Sequence, residues 1–303
     1  MGNLAAPVFF IGAPRSGTTV LFEAFAKHEQ LGWPSNYSRK FPALPQLGII
    51  LRLTNNRFIN LLGQKEQYNH VLLANKLLPR PAEAYEFWNH YTGIDFSKQY
   101  LVNQSATPDC RNRLSRAVES ILFWEGKTIF SAKFTGPSRI HFLKSIFPTA
   151  RFVHVIRDGR AVVHSMLNSS AWSSSNFLEH PWWQGGLTDT DLRPWLNANK
   201  NPAILAAIQW KKIIEVAHHE CVPCNNENYL EIKYEQFIEK PYEIINQLYT
   251  WCGLPDSEKT LDYLKKIKIL PRMNDKYKND MTKEEIKLLT NIMEPQLSKL
   301  GYV

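Results

Sequence analysis

Nothing in the chain approaches the roughly 20 consecutive apolar residues of a membrane-spanning helix, so no membrane partner is expected. No internal repeat or low-complexity tract interrupts it. No signal-peptide pattern precedes the first apolar run at Val8, and Ala6 stands where a myristoylation pattern needs Ser or Thr. The expectation is a cytoplasmic protein. Cysteine is scarce, with four in 303 residues: Cys110, Cys221, Cys224 and Cys252. The stretch His218-His219-Glu220-Cys221-Val222-Pro223-Cys224 invites a metal reading, but no second ligand pair follows at zinc-ribbon spacing. Ordinary thiols near a helix end are expected, and no metal. There is no zinc-finger spacing, dense Lys/Arg stretch or RNA-recognition signature, so nucleic acid is not an expected partner.

What is present is a globular composition, 44% hydrophobic and 21% charged, with a formal net charge of +8. That excess favours an anionic ligand. The length suits one large α/β domain, read here as residues 1–303. Four apolar runs read as parallel strands: Val8–Gly12, Thr128–Lys133, Arg151–Arg157 and Tyr229–Tyr234. Each is followed by helical periodicity, which implies a covered, mainly parallel sheet. Thr282 and Glu285 form a capping box that opens a last helix, with Ile286, Leu289, Ile292 and Met293 on its buried face.

Directly after the first strand the chain reads Gly12-Ala13-Pro14-Arg15-Ser16-Gly17-Thr18-Thr19. A strand, a glycine-containing turn and a helix start aim backbone N–H groups at a phosphate. The two glycines have Walker A spacing, but Thr18 replaces the lysine needed to move a nucleotide's terminal phosphate. A basic residue, Arg15, sits inside the loop instead. A second motif runs from Arg151 to Met166. Arg157 ends a strand and Ser165 follows eight residues later, in the next helix. A guanidinium and a hydroxyl at one strand–helix junction can grip a second phosphate.

These two motifs, in this order, resemble the sulfotransferases that use 3′-phosphoadenosine-5′-phosphosulfate (PAPS). Pro14-Arg15-Ser16-Gly17-Thr18-Thr19 and Arg157-Asp158-Gly159-Arg160 look most like the tyrosylprotein and bacterial branch. The resemblance implies a three-layer α/β fold: a P-loop-like central parallel β-sheet flanked by helices, with helical and loop insertions forming the acceptor site. It implies that Arg15, Ser16, Gly17, Thr18 and Thr19 bind the 5′-phosphosulfate, and Arg157 and Ser165 the 3′-phosphate. It places Tyr234 near the adenine, and Arg272 and Lys276 in a stretch that closes over the 3′-phosphate. Lys133, ending the second strand, faces the transferring group, beside Arg15. The product nucleotide would be 3′,5′-adenosine bisphosphate, with no metal required, and the resemblance allows a homodimer.

The general base is where the sequence departs from the family. Thr135 replaces the histidine of the cytosolic branch, and Gly32-Trp33-Pro34-Ser35 replaces the Gly-Glu-Glu of the tyrosylprotein branch. The cluster Pro79–His90 supplies the alternatives, Glu83 first and His90 second. Segments 31–127 and 169–201 are long and irregular, and read as acceptor-site walls or a lid. The tryptophans of the second, with no secretory route to a peptide, favour a small natural-product acceptor carrying a hydroxyl or amine over a tyrosyl side chain. Two competitors remain: a kinase or NTPase with a degenerate loop, and a nucleotide-binding module without catalysis.

Overall fold

A computed structural model of the chain describes residues 5–56, 58, 59, 61, 62, 77–170, 177, 179–222, 227–267 and 274–303. Five parallel strands form one sheet: β1 (Val8–Gly12), β2 (Leu31–Gly32), β3 (Ile129–Lys133), β4 (Arg151–Ile156) and β5 (Tyr229–Lys233). Their order is β2-β3-β1-β4-β5. Four of the five are the strands that the sequence predicts. The exception is β2, whose two residues pair Leu31 with Ile129 and Gly32 with Phe130. Arg157 and Tyr234, expected inside strands, lie one residue beyond β4 and β5.

Strands buried on both faces need continuous apolar sequence, and all five residues of β1 are buried. Phe9 and Ile11 face one layer, where the helix Pro108–Glu125 packs Leu114, Val118 and Ile121 against Phe130 and Phe152. Val8 and Phe10 face the other, built from α1 (Thr18–Phe25) and the helix Pro241–Cys252. A third cluster joins the helices Gly159–Leu167, Pro202–Cys221 and Lys283–Lys299 through Val162, Trp210 and Met293. The predicted capping box holds: Thr282 accepts from the Glu285 N–H while the Glu285 carboxylate accepts from Thr282.

The expectation that all of 31–127 forms acceptor walls needs correction. The helix Pro108–Glu125, opened by a Thr107 cap and closed by left-handed Gly126, belongs to the core. No helix among the described residues is long and apolar enough to cross a membrane.

The chain runs from β1 to β2 and β3 on one side of it and then crosses to β4 on the other, so a crevice opens at the carboxyl end of β1. Open α/β sheets bind ligands at such a switch point.

Candidate active site

The turn after β1 fills this crevice. Gly17 caps α1 with φ 83°, a left-handed conformation that glycine adopts without a Cβ clash. A Cβ there would also lie 2.1 Å from the nearest carbon of the Tyr234 ring, so only glycine lets that ring approach the turn. Arg15 takes a positive φ of 66°, and this strained position turns its side chain out of the loop. No side chain caps the α1 N-terminus, so the positive end of the helix dipole faces the turn uncompensated. The Ser16 hydroxyl is buried with no hydrogen-bond partner among the described residues. An orphaned hydroxyl beside a helix N-terminus is a fit for an anion's oxygen.

Arg157 and Ser165 come to the same turn, but through Arg15. The Arg157 guanidinium donates to the Arg15 carbonyl at 2.9 Å, and Arg15 Nε donates to Ser165 Oγ at 3.0 Å. Arg157 also lies over the Tyr234 ring, 4.8 Å from its centroid. Burial lowers the Arg157 pKa and raises that of Tyr234, as expected for a cation and a phenol taken out of water. Arg157 Nε donates to Asn274 Oδ1 at 2.9 Å. Among the described residues, Asn274 brings the C-terminal stretch to this site, and the sequence reading missed it. The predicted Lys276 is exposed on the helix Lys276–Asp280, and Arg272 lies outside the described residues.

On the other side of β1, Lys133 ends β3 with only 6% of its surface exposed. Its Nζ donates to Thr19 Oγ1 at 2.9 Å and to Glu83 Oε1 at 2.5 Å. Glu83 precedes the helix Tyr85–Thr92, held off its axis by left-handed Ala84. The neighbouring Tyr85 hydroxyl donates to the Thr135 carbonyl and accepts from the Thr135 N–H, both at 3.2 Å. That pair ties the 79–86 segment to the end of β3. Burial, reinforced by Glu83, pushes the Tyr85 pKa far up, so it stays a neutral phenol.

Arg15, Thr19, Lys133, Glu83 and Tyr85 line one cleft of about 600 Å³. Phe22, Phe177 and Trp182 add apolar wall, and Arg39, Arg80 and Lys98 add positive charge. Trp182 is thus a wall residue, whereas Trp183 and Trp195 are packed into the core. His90 does not reach the cleft. It is exposed, on the helix Tyr85–Thr92, and its ring meets that of Tyr91.

Asp158, which could imitate a Walker B carboxylate, is already engaged. It caps the helix Gly159–Leu167, pairs with Arg160 at 2.8 Å and accepts from the Tyr277 hydroxyl at 3.2 Å.

The chain is similar to known sulfotransferases. The omega-hydroxy-beta-dihydromenaquinone-9 sulfotransferase of Mycobacterium bovis is 24% identical over 268 residues, which is 83% of this chain and 64% of that protein. The chain therefore spans less than two thirds of that relative's length. Among solved structures, sulfotransferase STF9 from Mycobacterium avium superposes with a TM-score of 0.57 at 15% identity, covering 98% of this chain and 77% of that one. The sulfotransferase domain from the curacin biosynthetic pathway gives 0.52 at 15% identity, covering 97% and 98%. These similarities show the fold. A profile of the sulfotransferase family matches residues 7–258, and the chain belongs to that family.

Proposed function

We propose that this chain, acting as one unit, transfers the sulfuryl group of PAPS to a hydroxyl or amine of a small-molecule acceptor, releasing 3′,5′-adenosine bisphosphate. The observation that carries this reading is Lys133, whose Nζ joins Thr19 on the phosphate-loop helix to Glu83 on the cleft wall. A cation at that point faces both halves of an in-line displacement. The acceptor atom attacks sulfur, the bond from sulfur to the bridging oxygen breaks, and charge grows on that oxygen. Arg15, Lys133 and the α1 N-terminus offer fixed positive charge for it. Glu83, within hydrogen-bond reach of Lys133 and lining the cleft, takes the acceptor proton.

Arg157, Ser165 and Asn274 hold the second phosphate and Tyr234 stacks on the base. Ser16, Gly17 and Thr18 supply the turn that meets the first. Phe22, Phe177 and Trp182 suit an apolar or aromatic acceptor. The hydroxylated menaquinone named for the mycobacterial relative supports an alcohol on an apolar body. The engaged state of Asp158 supports transfer without a divalent metal at the phosphate loop.

The test is a calorimetric titration with 3′,5′-adenosine bisphosphate, beside ATP with Mg²⁺, on the wild type and Arg157→Ala. Metal-independent binding of the bisphosphate, weakened at least about tenfold in the variant (about 1.4 kcal/mol), is expected. Preference for Mg-ATP, or indifference to Arg157, overturns the reading.

A further inference from the structure

Away from the cleft, three chain segments bring metal-ligating groups to one point. His154 lies in β4 and Glu231 opposite it in β5, as register partners. His218 comes from the last turn of the helix Pro202–Cys221. His154 Nδ1 is 3.8 Å from Glu231 Oε1, and His218 Nε2 is 2.8 Å from the same oxygen. One ligand atom from each residue falls within 4.8 Å of the others. The Tyr229 hydroxyl completes the group, 2.6 Å from His154 Nδ1 and 3.0 Å from Glu231 Oε1.

We propose that His154, His218 and Glu231 form a zinc site, with the Tyr229 hydroxyl or a water in the fourth position. Two imidazoles and a carboxylate are a zinc ligand set, and at bond lengths of about 2.0–2.2 Å such ligands sit about 3.3 Å apart in a tetrahedron. The two separations from Glu231 bracket that value, and the two imidazole nitrogens lie within 4.8 Å of each other, so small side-chain shifts complete the polyhedron. The imidazoles can offer only these nitrogens. His154 Nε2 and His218 Nδ1 are enclosed, with no hydrogen-bond partner among the described residues.

Glu231 is 38% exposed, which leaves an entry path.

The site is structural. It ties a long helix to the edge of the sheet, with His154 three residues before Arg157 and Glu231 three before Tyr234. At about 3.3 Å per residue that is about 10 Å from the nucleotide groups, too far to touch the reaction.

The experiment titrates chelator-treated, full-length protein with Zn²⁺ against a chromophoric chelator, and with Co²⁺ read by its visible ligand-field bands. One equivalent of zinc per chain and four-coordinate cobalt bands are expected. His218→Ala and Glu231→Gln weaken zinc at least about tenfold, and His219→Ala, one residue outside the cluster, leaves it unchanged. Absence of saturable binding to the wild type overturns the proposal, and that measurement needs no variant to fold. Zinc bound equally well by His218→Ala and Glu231→Gln, each folded by its circular dichroism, overturns it too.

Discussion

Replacing Lys133 with methionine separates binding from chemistry. The variant keeps most of the stem volume and loses only the ammonium, which lies 2.5 Å from Glu83 and 2.9 Å from Thr19. A preorganised cation facing charge that develops only in the transition state is worth about 3–4 kcal/mol, a hundred- to thousandfold in kcat. The bisphosphate product lacks the sulfuryl group, so its affinity falls by less than about threefold, or roughly 0.7 kcal/mol. Stability moves as well. Removing one partner of a fully buried ion pair costs about 3–5 kcal/mol. Glu83 keeps 25% of its side chain exposed, so the stranded carboxylate is partly solvated and about 1–2 kcal/mol is expected. Adding Glu83→Gln removes that stranded charge. The double variant regains most of the stability and none of the rate. The assay is turnover of PAPS with a phenolic probe acceptor, beside bisphosphate titration and thermal melts of the wild type and both variants. A fall in bisphosphate affinity as large as the fall in kcat/KM would make Lys133 a ground-state anchor and refute the assignment. An unchanged rate would remove it from the reaction altogether.

Two further predictions rest on other parts of the chain. His90→Ala, outside the cleft, leaves kcat/KM within about twofold (roughly 0.4 kcal/mol); a loss above tenfold in the same assay would restore it as the base. Lys27 is buried near Glu23 with its pKa lowered by desolvation to about 8. Its folded pKa lies below its unfolded one, so between about pH 8 and 10.5 the unfolded chain holds the extra proton and stability rises with pH on this account. Lys27→Met has no titrating group there, so wild-type stability gains on the variant's as pH rises through that window, read from paired melting curves; a constant difference from pH 7 to 10.5 would contradict it.

The parts of this site that were legible in the sequence are the parts encoded by neighbours. The turn after β1 follows from residues 12–19 alone, because strand, glycine and helix start are consecutive there. Arg157 and Ser165 were legible for the same reason, although their meeting through Arg15 was not. Choosing between Glu83 and His90 required the backbone. Ala84 takes a left-handed conformation with φ 48°, which puts Glu83 outside the helix that carries His90, so the two residues point to different surroundings. Asn274 was missed because neutral amides carry no charge signal, and lysines nearby drew the eye to Lys276. The pair His154 and Glu231 depends on strand register, and β2 on two residues with no periodicity to read. Neither leaves a trace in local sequence.

The strand order has a consequence for how this protein can change. β1 stands between β3 and β4, and it divides the crevice into two territories. In the proposed assignment the groups for the nucleotide's far phosphate and base come from the β4 and β5 side, joined by Asn274 of the C-terminal stretch. Lys133, Glu83 and Tyr85 come from the β3 side, while the apolar wall is Phe22 of α1 with Trp182 and Phe177 of the 169–201 segment. Only the phosphate turn belongs to both. On the proposed function, selection on the acceptor can therefore rewrite the 79–98 stretch, residue by residue, while the donor site stays fixed.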